Sequence, residues 1–293
     1  MNNPYFKYVF SLLLFGSNGI MASLILLSSY EVVFWRTLIG SLFLLALFLM
    51  SGGKFKAIHH KKHWVYALIS GAALGISWIF LFEAYSEIGV SVASLAYYCG
   101  PVLVIAISPF LFNERLTAAR LAGLGAVMLG MLFVNGLGLL TNGLSWGLFC
   151  GLSSAVMYAV MIVFNKKASQ VTGLENALYQ LVMSFITVAL YTFFRQGAPS
   201  LSVTEYLLPI LIFGLVNTAV GCFLYFAAID HLSAGSVSII GYLEPLSALV
   251  FSAVFLHEQL TELQVIGAVL ILSGAAFSEL YREKPRVPVG HAV

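Results

Sequence analysis

Runs of about twenty apolar residues recur along the chain, and nothing else in the sequence constrains the fold so tightly. A helix of that length crosses the hydrocarbon core of a bilayer with its backbone hydrogen bonds satisfied internally. Ten such runs stand at residues 6–27, 30–49, 64–86, 91–112, 118–135, 143–164, 175–194, 205–229, 235–255 and 261–281. Composition agrees: 60% of the 293 residues are hydrophobic and 9% are charged, with a mean hydropathy of +0.97. A soluble domain carries about 25% charged residues. The expected fold class is therefore all-α integral membrane, with ten transmembrane helices joined by connections too short to hold a soluble domain. The first run, Phe6 to Leu27, is too long for a signal-peptide core and lacks a small-residue cleavage site, so it reads as a span.

Basic residues set the expected orientation. With the N-terminus inside, Lys7, Lys54, Lys56, Lys61, Lys62, Arg115, Arg120, Lys166, Lys167, Arg282, Lys284 and Arg286 all fall on the cytoplasmic side, which is 12 of the 14 Lys and Arg. Arg195 is outside and Arg36 lies within a span. The positive-inside rule then predicts a multi-pass protein of the cytoplasmic (inner) membrane with both termini cytoplasmic. The net charge of +2 gives no reason to expect a nucleic-acid partner. Cys99, Cys150 and Cys222 sit inside apolar runs and read as small buried hydrophobes. No metal-ligand or cofactor spacing is present, and no GxxxxGK[ST] loop for ATP.

The chain also repeats itself. At an offset of 144 residues, Asn113-Glu114-Arg115-Leu116-Thr117 falls on His257-Glu258-Gln259-Leu260-Thr261. In the same register Ser94 meets Ser238, Tyr98 meets Tyr242, Pro101 meets Pro245, Gly123 meets Gly267 and Gly130 meets Gly274. Further back Glu31 meets Glu175 and Arg36 meets Gln180. The expected organisation is one five-helix repeat in residues 1–140, a second in 141–281, and a cytoplasmic tail in 282–293. Five is odd, so the second copy enters the membrane inverted with respect to the first. Inverted halves suit alternating access.

Polar groups at membrane depth mark the candidate site. Gly241-Tyr242-Leu243-Glu244-Pro245 puts a carboxylate beside a helix-breaking proline inside an apolar run. An ionisable group there costs roughly 2.5 kcal/mol or more on insertion scales. The proline supplies no N–H and frees a carbonyl one turn back. Glu244 is expected either to meet a substrate amine or to couple protons; the structural alternative is a hydrogen bond that closes the gap left by Pro245. Pro101 and Gly100 form the counterpart break. Tyr98 and Tyr242, with Tyr97 nearby, lie one turn before the prolines and offer an apolar body with a polar tip. Trp78, Asn18, Asn217 and Tyr158 lie deep in their spans and are further candidates for substrate contact, with interhelical packing as the alternative. Arg36 and Glu83, in the outer halves of adjacent helices, are expected to form an ion pair or an outer gate. Glu114 and Glu258 read as residues near helix starts. Paired glycines, such as Gly71 with Gly75 and Gly123 with Gly130, are expected to let helices approach closely.

Two five-helix halves, each ending in Pro, about twelve residues, Glu-x-Leu-Thr and then Gly-x6-Gly, resemble the EamA-type drug/metabolite transporter superfamily. Phe34-Trp35-Arg36 in the second helix fits the same pattern. The resemblance covers essentially the whole chain and implies a central cavity lined by helices 1, 3, 4, 6, 8 and 9. One departure stands out: Gly100 takes the place that Glu244 holds in the second copy, so the site is electrostatically asymmetric. The implied function is a secondary transporter, in the export direction, for a small polar or amphipathic metabolite such as an amino acid or amine, with protons as a possible coupling ion and membrane lipid as its surroundings. Rival readings are a lipid-headgroup flippase, a partner subunit without transport of its own, and an integral-membrane enzyme. The last lacks an HExxH or GxSxG motif or clustered metal ligands.

Overall fold

The computed structural model describes residues 3–112, 116–135, 145–197, 201–255 and 261–281. Residues 113–115 and 256–260, which include Glu114 and Glu258, and the tail 282–293 lie outside the described residues. Regular structure among the described residues is helical throughout. Among the described residues, six stretches are long and apolar enough to cross a membrane: Tyr30–Met50, Lys61–Ile88, Trp146–Lys167, Gly173–Arg195, Thr204–Ile229 and Ala234–Phe255. Three shorter apolar helices accompany them, Cys99–Phe112, Ala118–Phe133 and Val265–Ser278. The chain is a multi-pass membrane protein. Its burial pattern agrees, since Phe110, Phe194 and Leu26 point outward while Ser70, Ser77, Ser154, Asn176 and Gln180 are buried. Lipid accepts such an apolar exterior, and polar side chains then join helices inside.

Helix α1 (Pro4–Gly16) stops at Ser17 and resumes as α2 (Asn18–Ser23). The single rod expected over 6–27 is thus broken. Asn217 explains how the break is tolerated: its Nδ2 donates to the Leu14 carbonyl at 2.8 Å and lies 2.9 Å from Ser17 Oγ and 3.1 Å from Asn18 Oδ1. The same carbonyl accepts from the Ser17 hydroxyl at 2.7 Å and the Ser17 N–H at 3.2 Å, so the backbone at the break is satisfied within the protein. Helix α3 (Ser29–Met50) begins with a reciprocal capping box between Ser28 and Glu31.

Helical hydrogen bonding runs along α4 (Lys61–Tyr97), yet α4 is not one straight rod. Ala84 and Ala93 both pack around Cys150, and both Ala84 and Ala96 border Gly151. A straight helix would set Ala84 and Ala93 about 14 Å apart along its axis. The chain therefore turns back between them, near the boundary expected between the spans 64–86 and 91–112. It continues as α5 (Cys99–Phe112) and α6 (Ala118–Asn135).

The remaining elements are α7 (Trp146–Lys167), α8 (Gly173–Gln196), α9 (Leu207–Ile212), a π-helical segment (Phe213–Val220), α10 (Gly221–Ile229), α11 (Ala234–Ile240), α12 (Leu243–Phe255) and α13 (Glu262–Leu280), with short 3-10 turns at Ala57–His59 and Leu201–Tyr206. Helix α4 packs against α7 and α8, α1 against α10 and α12, and α6 against α13. Serine and glycine make the closest of these contacts. Ser77 Oγ donates to the Ser154 carbonyl at 2.9 Å and Ser154 Oγ to the Ser77 carbonyl at 2.8 Å. On the same helix as Ser77, Gly71 and Gly75 take the backbone carbonyls of Gln180 and Ser184 where a Cβ would stand, at 2.7 and 2.8 Å.

Candidate binding cavity

Both proline-marked helices are interrupted, at matching places. Helix α4 ends at Tyr97, Tyr98 forms a turn, and α5 restarts at Cys99 with Pro101 as its third residue. Helix α11 ends at Ile240, Gly241 and Tyr242 form a turn, and α12 restarts at Leu243 with Pro245 as its third residue. A proline in the first turn of a helix loses nothing, because that N–H has no intrahelical acceptor. Each proline therefore starts a new helix within the apolar runs 91–112 and 235–255. The two breaks touch. Tyr242 Oη donates to the Tyr98 carbonyl at 2.8 Å, and the two rings lie 6.3 Å apart.

A cavity opens beside this junction, with about 640 Å³ of space free of protein atoms when its open mouth is included. Glu244, Tyr97, Tyr98, Tyr158, Trp78, Asn18, Pro101 and Arg36 all line it. Its walls are largely aromatic. Tyr97 lies 5.3 Å from Tyr98 and 5.5 Å from Tyr158, and Tyr158 Oη is 3.4 Å from Tyr225 Oη. Behind Tyr225 stands Tyr8, fully buried at a ring separation of 5.4 Å, with its Oη donating to the Val237 carbonyl at 2.7 Å. Glu244 begins α12 and is half-buried; its own carbonyl accepts from Ser247 Oγ at 2.8 Å.

The asymmetry at position 100 has a steric cause. A Cβ on Gly100 would lie 2.8 Å from Tyr158 Cδ1 and 3.0 Å from the Ala155 carbonyl. The Tyr158 ring occupies the space that an acidic side chain would need, so the counterpart of Glu244 is an aromatic wall.

Three expectations are redirected. Arg36 and Glu83 do not pair. The Arg36 guanidinium stands over the Trp78 ring at 4.5 Å and the Phe213 ring at 4.8 Å, facing the cavity. Glu83 accepts from Trp146 Nε1 at 3.4 Å in a separate recess lined by Cys150 and Tyr191. Trp78, which Arg36 covers, stands five residues before Glu83 on α4, and the two charged groups take different neighbours. Tyr242 is fully buried among Ile239, Leu246 and Met131 and serves the junction, outside the cavity lining. Asn217 likewise binds the α1 break and is not among the lining residues. Pro245 and Gly100 shape the breaks without lining the cavity.

Sequence reasoning missed Phe15, Cys222, Tyr225 and Phe226, which also line the cavity. Cys222 carried a usable signal: it falls on Trp78 at the offset of 144. Tyr225 falls on Leu81, so the repeat gave no hint of it.

Two stretches of the chain, residues 5–136 and 145–280, each match the EamA-like transporter family. The uncharacterized transporter YxxF of Bacillus subtilis (strain 168) is 28% identical over 280 residues, 94% of this chain and 89% of its own length. A probable amino-acid metabolite efflux pump of Salmonella typhimurium is 27% identical over 222 residues, 71% of this chain and 74% of its own. A crystal structure described only as that of a protein superposes with a TM-score of 0.80 at 19% identity, covering 94% of this chain and 97% of the other. That likeness concerns the fold alone.

Proposed function

The chain belongs to the EamA-like transporter family, and we propose that it is a secondary carrier that exports a small polar or amphipathic metabolite, an amino acid or related amine, by alternating access. In this reading ten spans form two inverted five-helix repeats in the cytoplasmic membrane, with both termini on the cytoplasmic side. The solute binds between the halves, where Glu244 meets a positive group or a proton and Trp78, Tyr97, Tyr98 and Tyr158 form the walls.

The observation that carries the reading is the cavity placed against two touching helix breaks. Broken helices beside a polar hollow at mid-membrane are how carriers hold solutes without exposing backbone to lipid. The packing of α6 on α13 supports the inverted arrangement. A Cβ on Gly123 would meet the Gly274 carbonyl at 2.6 Å, and one on Gly130 the Gly267 carbonyl at 2.6 Å. Equivalent helices thus cross antiparallel through equivalent glycines. The efflux pumps named for amino-acid metabolites among the relatives support the substrate class.

Proteoliposomes test it. Labelled amino acids and amines loaded inside should exchange across the bilayer at a saturable rate that depends on the protein. Scrambling of labelled lipid without solute flux would replace the carrier by a flippase, and neither activity would leave only a partner subunit.

A further inference from the structure

Arg36 is the one cavity cation, among the described residues, that the carrier reading leaves without a task. Its side chain is only 4% exposed, and its Nε has no acceptor. No hydrogen bond or ion pair joins the guanidinium to a protein group among the described residues. The rings of Trp78 and Phe213 lie 4.5 and 4.8 Å from its central carbon. Rings interact with the face of a guanidinium, whereas its five N–H donors project in the plane. A buried cation held this way presents an unsatisfied planar fork to the cavity. The group that matches it is a carboxylate, which accepts two parallel N–H bonds. Glu244 lines the same cavity, together with Trp78, Tyr97, Tyr98 and Tyr158.

We propose that Arg36 is the anion-binding pole of the cavity, so that the carried solute is a zwitterion giving its carboxylate to Arg36 and its ammonium to Glu244. The proposal rests on the carrier reading and narrows it: a simple amine lacks half of the recognition. It also explains why the two charged residues remain apart, since a direct ion pair would consume both poles.

The test is equilibrium binding by the purified full-length protein. The proteinogenic L-amino acids are screened, and the strongest binder is compared with its decarboxylated amine and its deaminated acid. Each analogue should bind roughly tenfold or more weakly, the scale of one lost charge-assisted contact. Arg36→Gln should bring parent and amine to equal affinity, and Glu244→Gln should do the same for parent and acid. Arg36→Lys, which keeps the charge without the fork, should fall between. Each comparison is a ratio within one preparation, so a smaller folded fraction cancels. An amine that binds wild type as tightly as its parent overturns the proposal. So does a ratio unchanged in Arg36→Gln, or a failure of every amino acid to bind. Liposome flux separates the two readings. Flux of amines alone leaves a carrier without this two-pole site; the expected ratios without flux leave the site and remove the carrier.

Discussion

At several matching positions of the two halves, the cavity is lined by a large side chain from one copy and a small one from the other. Trp78 and Tyr97 from the first half line it together with their counterparts Cys222 and Gly241 from the second. Gly100, excluded from carrying a side chain by Tyr158, answers Glu244. A repeated scaffold thereby yields a site whose two halves carry different side chains at equivalent positions. Position 31 and its partner 175 diverge in the same way. Glu31 closes a capping box with Ser28, while Glu175 Oε1 instead accepts the Ala57 N–H at 2.9 Å. Two outcomes follow at this scale. Glu244→Gln should abolish or uncouple flux while the protein stays monodisperse, measured as flux against pH in proteoliposomes; unchanged flux and pH dependence would remove Glu244 from the mechanism. Tyr242→Phe removes the bond to the Tyr98 carbonyl and should cost about 1 kcal/mol of stability. Because Tyr242 lies outside the cavity lining, ligand affinity should hold; a lowered thermal midpoint with unchanged binding checks this.

Among the helices, the decisive feature is how backbones come within contact of each other. The contact of α6 with α13 has no room for a methyl group at Gly123, Gly130 or Gly274. Gly125, on the same helix, has nothing within 4 Å of its Cβ position. Gly130→Val should therefore destabilise by about 1–3 kcal/mol, the usual penalty for overpacking, whereas Gly125→Val should cost no more than its β-branching. Thermal unfolding of the two variants side by side reads the difference directly, and equal losses would mean that α6 and α13 are not clamped by these glycines. Broken helices are the second feature of this scale. The α1 break is met by Asn217 and the α4–α5 break by Tyr242, so these two interruptions are answered by polar side chains from elsewhere in the bundle.

For the molecule as a whole, one end is tied by a polar cluster between the α7–α8 and α10–α11 connections. Lys166 Nζ donates to the Ile229 and Leu232 carbonyls. Asp230 accepts from Asn176 Nδ2 at 3.1 Å and from the Gly173 N–H at 3.3 Å. Burial pushes the Asp230 carboxyl up to about 6, against the opposite pull of the Gly173 amide, Lys166 and Asn176. An acid whose folded value stands above its unfolded one takes up a proton on folding. Its contribution is greatest below the unfolded value near 3.8, declines as pH rises to about 6, and is flat above that. The thermal midpoint of wild type minus that of Asp230→Asn should decline across this window; a difference independent of pH would show that Asp230 does not titrate there.

Residue order alone determined the membrane class, the approximate bounds of six spans, the offset at which the sequence repeats and half of the residues that line the cavity. Hydropathy, proline and tyrosine placement are local properties, and a helix in lipid has few alternative ways to satisfy its backbone. Glu244, Trp78, Tyr97, Tyr98 and Tyr158 were legible because polar or aromatic groups at mid-span stand out against leucine and valine. The directions of side chains were not legible. Whether Arg36 turned to Glu83 or to the cavity depended on the rotation of α3 about its own axis, which contacts with α8 and the π-helical segment decide. Tyr242 and Asn217 went to the junctions for the same reason: a freed carbonyl buried in protein needs a donor, and only the assembled bundle shows which one is within reach.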